Sequence, residues 1–331
     1  MSSAPSPTAQ TPAIAIFLIV SGMVFVTIND SLFKFLGGAY PLHQLVFIRS
    51  LIGMVCCLFI LQWEGGWAEL KTSTPGLHLI RGLLVVMANM MFFSALATLP
   101  LANAVALFFI APLLITVFSA LFLHEQVGVW RLLAIVVGFV GVLVMMLGNS
   151  GVDSAAEPVA AWVYALPVGA AAAYAAMQVM TRKLGVYTKA SALAVYIQGV
   201  FLLVSMGFYW FVGDGHLAVG VENKSLYFLL REWVWPQASD WWLLLLLGIC
   251  SGFVGYTLSA AYKLGNAATI SSYEYVALPM AFMVGWLVFD EVLTWPVIVG
   301  AGLIAGAGIL VFYRERQRQS PMAPRRALRR G

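Results

Sequence analysis

Two ionisable side chains stand inside long apolar runs, where an uncompensated charge is costly: Arg49 in LHQLVFIRSLIG and Glu274 in ATISSYEYVALP. A carboxylate flanked by Tyr273 and Tyr275 can bind a cationic group of a small molecule or carry a proton. It can equally be a structural glutamate, bonded to backbone or kept neutral. The Arg49 guanidinium can clamp a carboxylate or phosphate through two parallel hydrogen bonds. Its bland alternatives are snorkelling to lipid headgroups and a structural pair with Asp30.

Neutral polar groups recur in similar runs. Asn89, Gln178 and Gln198 either line a water-filled cavity or bond between helices. Asn29 and Asp30 close the hydrophobic part of the first run; they line a vestibule, or Asp30 starts a turn. Tyr174, Tyr196, Tyr256, Phe108 and Phe109 offer rings for a planar ligand or for packing. Pro112 and Pro279 each remove a backbone donor and free a carbonyl. They bend their helices, as gating points or as fixed kinks. Glu125 and Glu291 each precede an apolar run and read as caps or dipole partners of the helix that follows.

Other chemistry finds little support. The chain holds no GxxxxGK[ST] phosphate loop. His43, His78, His124 and His216 lie scattered without metal-ligand spacing. Cys56, Cys57 and Cys250 sit within apolar runs and read as small packing groups. No acid, base and nucleophile cluster together. The expectation is therefore no enzyme, no metal and no cofactor.

The elements that must position these residues follow from composition. Of 331 residues, 62% are hydrophobic and 10% charged, with mean hydropathy +0.92. A soluble domain carries about 25% charged residues, so the partner of this surface is the lipid bilayer. The apolar runs are continuous and about 20 residues long, enough for helices that cross a ~30 Å core and unlike alternating barrel strands. The predicted spans are 13–35, 43–62, 77–98, 101–123, 129–148, 158–181, 191–212, 240–262, 267–289 and 293–313, an all-α integral membrane protein of ten transmembrane helices. Polar, glycine-rich 63–76, the linker 149–157 and the loop 213–239 separate them. The first eleven residues lack the basic n-region of a cleaved signal peptide.

Lys and Arg orient the chain. With both termini cytoplasmic, Lys71, Arg81, Arg131, Arg182, Lys183, Lys189, Lys263 and the tail arginines fall inside, against Lys34, Lys224 and Arg231 outside. The basic tail is expected to anchor at anionic lipid rather than bind nucleic acid.

An internal repeat gives the spans an order. LANAVALFFIAPLLITVFSALFLHEQVGVW at 101–130 resembles ATISSYEYVALPMAFMVGWLVFDEVLTW at 268–295, pairing Pro112 with Pro279 and Glu125 with Glu291. An offset of 149 pairs Asn29 with Gln178, Lys34 with Lys183 and Arg49 with Gln198. Five helices per half, an odd number, makes the halves inverted. Inverted repeats can rock about a central site and expose it to each side in turn. Gly302 and Gly306, like Gly138 and Gly141, imply close packing within the protomer or in a homodimer.

The stretches NDSLFKFLGG-YPLHQLVFIRS at 29–50, LANAVALFFIAPLL ending in HEQ at 124–126, and AATISSYEYVALPMAFMVGWLVFDE at 267–291 resemble the drug/metabolite transporter superfamily, in its EamA-type branch. The resemblance covers residues 13 to 313. It implies a short cytoplasmic N-terminal tail (1–12), two inverted five-helix repeats (13–148 and 158–313) and a basic cytoplasmic tail (314–331). It also implies transport of a small organic solute across the cell (inner) membrane. Branches with this pattern carry S-adenosylmethionine, riboflavin, carboxylates or amino acids. Substrate contact is assigned to Glu274, Arg49, Tyr273, Tyr275, Gln178, Gln198, Asn29 and Asn89, and gating to Pro112 and Pro279. The alternatives are an exporter of amino acids or toxic compounds, and a non-transporting intramembrane protein.

Overall fold

The computed structural model describes residues 11–123, 129–148, 159–184, 188–264 and 273–319. Among them the secondary structure is helical and no strand forms. The helices are α1 (Thr11–Leu36), α2 (Leu42–Glu64), α3 (Pro75–Leu96), α4 (Leu101–Phe108), α5 (Ala111–Leu123) and α6 (Val129–Gly148). They continue as α7 (Ala161–Leu184), α8 (Ala190–Val212), α9 (Lys224–Leu230), α10 (Trp241–Leu264), α11 (Ala277–Phe289) and α12 (Trp295–Gln319). Six of them, α1, α2, α3, α7, α8 and α10, are long and apolar enough to cross a membrane; shorter apolar helical stretches cover 101–115, 132–147, 274–289 and 295–310.

Helix ends follow local chemistry. α1 runs through Asn29 and Asp30 to Leu36, so Asp30 does not start a turn. α2 begins after Pro41 and stops at Gly65, whose φ of 149° suits a residue without Cβ. The run expected as one helix over 101–123 is two helices. Pro112 has no N–H for the Phe108 carbonyl, and the chain restarts: Leu113 and Leu114 both bond to the Ile110 carbonyl, at 3.0 and 3.1 Å. Pro112 therefore lies in the first turn of α5, where the missing donor costs least, and not in mid-helix. Pro279 likewise lies in the first turn of α11, after a 3₁₀ turn over Glu274–Val276. The start of the predicted 267–289 helix, with Ser271 and Ser272, lies outside the described residues, as do Glu125, His124, the 149–157 linker and both chain ends.

The 213–239 segment contains α9, whose first turn is capped by Asn223 Oδ1 accepting from the Ser225 and Leu226 N–H groups at 3.1 Å each. It is strapped to the α1–α2 turn. Arg231 donates to Gly38 O at 2.9 Å and Gly37 O at 2.7 Å. Gln44 exchanges two hydrogen bonds with the backbone of Val234, at 2.6 and 3.1 Å.

The most extensive helix contacts join α6 to α12, α1 to α10, α3 to α7, and α2 to both α8 and α10. Small residues set the closest approaches. A Cβ on Gly141 would stand 2.7 Å from the Gly300 carbonyl, so α6 and α12 meet backbone to backbone. Gly22 admits Leu258 and Thr257 of α10, and Gly169 admits Met91 of α3. Gly302 and Gly306 play no such part, with open space at their Cβ positions among the described residues.

Glu291 departs from its expected role. It does not cap α12, the helix it precedes. Both its carboxylate oxygens accept from the Leu101 N–H, at 3.1 and 2.9 Å, so it caps α4. The partner is 190 residues away in sequence, which no local pattern reveals.

Candidate functional site

α1, α2, α3, α4, α7, α10 and the 274–276 turn with α11 surround a cavity of about 180 Å³. That is ample room for several waters or a small organic solute. Much of the wall is aromatic, with Phe92 and Phe93 from α3 and Phe108 and Phe109 at the α4–α5 break. The polar groups on it include Asn29, Asp30, Arg49, Asn89, Tyr174 and Glu274.

Arg49 forms one pole. It is buried rather than snorkelled. Both its terminal nitrogens donate to Asn89 Oδ1, at 3.3 and 3.4 Å. Its guanidinium carbon lies 4.7 Å from the Phe201 ring centre, 5.0 Å from Phe33 and 5.7 Å from Phe93. These quadrupoles stabilise a cation held away from water. Its Nε has no hydrogen-bond partner among the described residues. Asp30 shares the cavity within Coulombic reach, yet the two make no direct ion pair among the described residues. Asn89 is itself fixed, its Nδ2 donating to Val85 O at 3.0 Å one turn back on α3.

Glu274 forms the other pole. Its Oε1 accepts from Tyr262 at 2.5 Å and from Tyr174 at 3.3 Å. Gln178, one turn from Tyr174 on α7, donates to the Tyr174 hydroxyl at 2.7 Å. Gln178, Tyr174, Glu274 and Tyr262 thus form one network joining α7, α10 and the 274–276 turn.

The expected site residues divide. Arg49, Glu274, Asn29 and Asn89 line the cavity. Gln178 stands one bond behind it. Gln198 stands behind the wall, donating to the hydroxyl of Ser251, which lines the cavity, at 3.0 Å. Tyr275 turns away, stacking on Phe109 with ring centres 5.1 Å apart, and Tyr273 packs into the core. The 3₁₀ turn aims Glu274 inward and sends its neighbours elsewhere. Among the candidate rings, Tyr174, Phe108 and Phe109 face the cavity. Tyr196 instead donates to Leu70 O at 2.5 Å, and Tyr256 to Glu64 Oε1 at 3.0 Å. Sequence reasoning missed Tyr262, Ser251 and the rings around Arg49. The only available signal for Tyr262 was a phenol inside an apolar run.

The arrangement presents charges of both signs between aromatic walls, near the middle of a helix bundle. Chemically, such a lining offers an acceptor, donors and flat apolar faces within one cavity.

Residues 13–147 match the EamA-like transporter family. Along nearly its whole length the chain resembles named transporters. It is 27% identical to a riboflavin transporter of Vibrio cholerae, over 88% of this chain and 89% of that one. It is 26% identical to an S-adenosylmethionine uptake transporter of Rickettsia prowazekii, over 90% and 92% of the two chains. It is also 26% identical to a pseudopaline exporter of Pseudomonas aeruginosa, over 89% and 94%. A solved crystal structure, 19% identical, superposes with a TM-score of 0.65 over 93% of this chain and 99% of its own, a likeness of fold.

Proposed function

We propose that this chain is a secondary carrier of the drug/metabolite transporter type, moving a small amphipathic metabolite across the cell membrane by alternating access; the match of residues 13–147 to the EamA-like transporter family supports the reading. The observation that carries this reading is the cavity itself, with Arg49 and Glu274 facing one space between phenyl walls. Arg49 takes an anionic or acceptor group of the solute, Glu274 a cationic or donor group, and the rings its apolar body.

The reading includes ten spans in two inverted halves, 13–148 and 158–313, with both termini cytoplasmic. Helix pairing supports it. Exchanging the halves turns the α1–α10 contact into α7–α3 and leaves α2–α8 and α6–α12 as they are. The glycine approaches repeat too, Gly22 in α1 admitting α10 and Gly169 in α7 admitting α3. Pro112 and Pro279 open the first turns after two matched breaks, and serve as gating points in this reading. The open face around Gly302 and Gly306 suits a homodimer contact in the bilayer.

Solute counterflow in proteoliposomes tests the proposal. Vesicles preloaded with riboflavin, S-adenosylmethionine, an amino acid or a dicarboxylate should accumulate the labelled form of one of them. The uptake should be lost in Glu274→Gln and Arg49→Ala. Folded protein that exchanges neither these nor a panel of hydrophobic drug-like solutes would return the chain to the non-transporting alternative. A second reading, export of amino acids or toxic compounds, draws on the similarity to the pseudopaline exporter. Resistance to a toxic solute on expression, lost in the same variants, would favour it.

A further inference from the structure

One ion pair closes the bundle end that carries the 213–239 strap. Lys34 Nζ, near the end of α1, lies 2.6 Å from Glu291 Oε1 and donates to Leu99 O at 2.8 Å. The Glu291 carboxylate also holds the Leu101 N–H, as described above. That donor is one of the four left unpaired at the start of any helix, and the helix dipole favours an anion there.

The geometry of the α11–α12 turn makes this reach possible. Asp290 adopts a left-handed conformation with φ 53°, which Asp tolerates better than most side chains. The Glu291 N–H then bonds to Gly285 O at 2.9 Å, ending α11 and folding the chain back. Glu291 thereby crosses from one half of the bundle to the other. Leu101, the residue it holds, lines the cavity, as do Val105 and Phe108 further along the same short helix.

We infer that Lys34 and Glu291 are positioning residues that form a latch: together they fix the cavity-wall helix α4 and close the strap-bearing end, and the pair must part for that end to open. The inference rests on the carrier reading, because only a carrier needs the end to open. The side chains are 16% and 13% exposed, so water can replace their bonds as they separate. Lys34 also stands 5.5 Å from the centre of the Phe289 ring at the end of α11, which ties it to the same turn.

A reporter cysteine decides the matter. Ala88→Cys places a thiol on the cavity wall, and a membrane-impermeant thiol reagent measures its access from each side of sealed vesicles. Val219→Cys, in the exposed 213–239 segment, identifies the strap-bearing face; protein without added cysteines gives the background. With the latch intact, labelling from that face is slow. Glu291→Gln and Lys34→Met should each raise the rate from that face about tenfold, the scale of one charge-assisted hydrogen bond. Labelling from the opposite face should not rise, and Lys34→Arg should restore slow labelling. An unchanged rate in both neutral variants overturns the latch, and so does an equal rise from both faces. If a neutral variant does not fold, Lys34→Cys with Glu291→Cys serves instead. Bridging the two with a short bifunctional thiol reagent must then abolish labelling of Ala88→Cys from the strap-bearing face, and undiminished labelling overturns the latch. These readouts need no substrate. Failed counterflow with latch-dependent access sinks the carrier reading alone, whereas working counterflow with latch-independent access sinks the latch alone.

Discussion

Tyr262 donates to Glu274 Oε1 at 2.5 Å, the same carboxylate oxygen that Tyr174 reaches at 3.3 Å. Two phenols on one oxygen leave Oε2 without a hydrogen bond among the described residues, in a side chain that lines the cavity. A hydrogen bond to a charged group is worth roughly 1.5–3 kcal/mol. Tyr262→Phe should therefore weaken the apparent affinity for the transported solute about tenfold, while Tyr174 keeps the carboxylate placed. The check is the concentration dependence of counterflow beside a melting curve in detergent. A large fall in melting temperature with unchanged affinity would make Tyr262 a packing residue.

Glu274→Gln tests the carboxylate itself. The amide retains the shape and can still accept from Tyr262, but it neither carries a negative charge nor takes up a proton. Exchange should fall at least tenfold, and any dependence of the residual rate on pH between 5 and 8 should flatten. Unchanged flux from folded protein across that range would remove Glu274 from the site.

Arg49 makes a different demand, because its surroundings fit a flat cation. The guanidinium lies among three phenyl rings and meets Asn89 with two nitrogens. A lysine ammonium is compact and more strongly hydrated, and it cannot spread over those faces. Arg49→Lys should leave the fold intact yet lower exchange about tenfold, with Arg49→Ala lower still. Equal activity of Arg49→Lys and the parent would show that charge alone suffices.

How far the sequence foretells this site depends on the range of each interaction. The apolar runs and their Gly and Pro punctuation reveal where helices form, because spanning lipid is a local property of about 20 residues. Arg49 and Glu274 are legible for the same reason: a charge inside such a run is conspicuous. Tyr273 and Tyr275 mislead because adjacency in sequence is not a shared face, and the 3₁₀ turn separates them from Glu274. Tyr262, Phe201 and the Glu291–Leu101 contact come from chain crossings between distant helices. Their residue types are ordinary in apolar runs and turns, so nothing local marks them. Pro112 and Pro279 announce bends in the two runs, not breaks. The form found, a restarted helix rather than a kink, depends on where the carbonyl of Ile110 finds its donors.

Gly141 and Gly302 give a paired test of the packing. A methyl group at Gly141 meets the Gly300 carbonyl at 2.7 Å, and a backbone atom cannot rotate away. At Gly302 no described residue stands within 4 Å. Gly141→Ala should destabilise the protein by about 1–3 kcal/mol, as overpacking does, while Gly302→Ala should be neutral in the monomer. Thermal unfolding in detergent compares them. If Gly302→Ala instead shifts a monomer–dimer equilibrium, the open face is a dimer contact.

Pro112 and Pro279 lie in the first turns after the two breaks. The alanine variant at either position supplies the missing N–H, aimed at the carbonyl of Phe108 or of Tyr275, and so favours a continuous helix across the break. Phe108 and Phe109 sit at the first break and line the cavity, so in the gating reading this break is where that wall swings. In the gating reading, Pro112→Ala should lower the maximal rate of exchange several-fold with little change in apparent affinity, and Pro279→Ala should do the same at the second break. Loss of affinity at constant maximal rate would instead mean that the breaks only shape the resting cavity, and the prolines would then be fixed structural features rather than gating points.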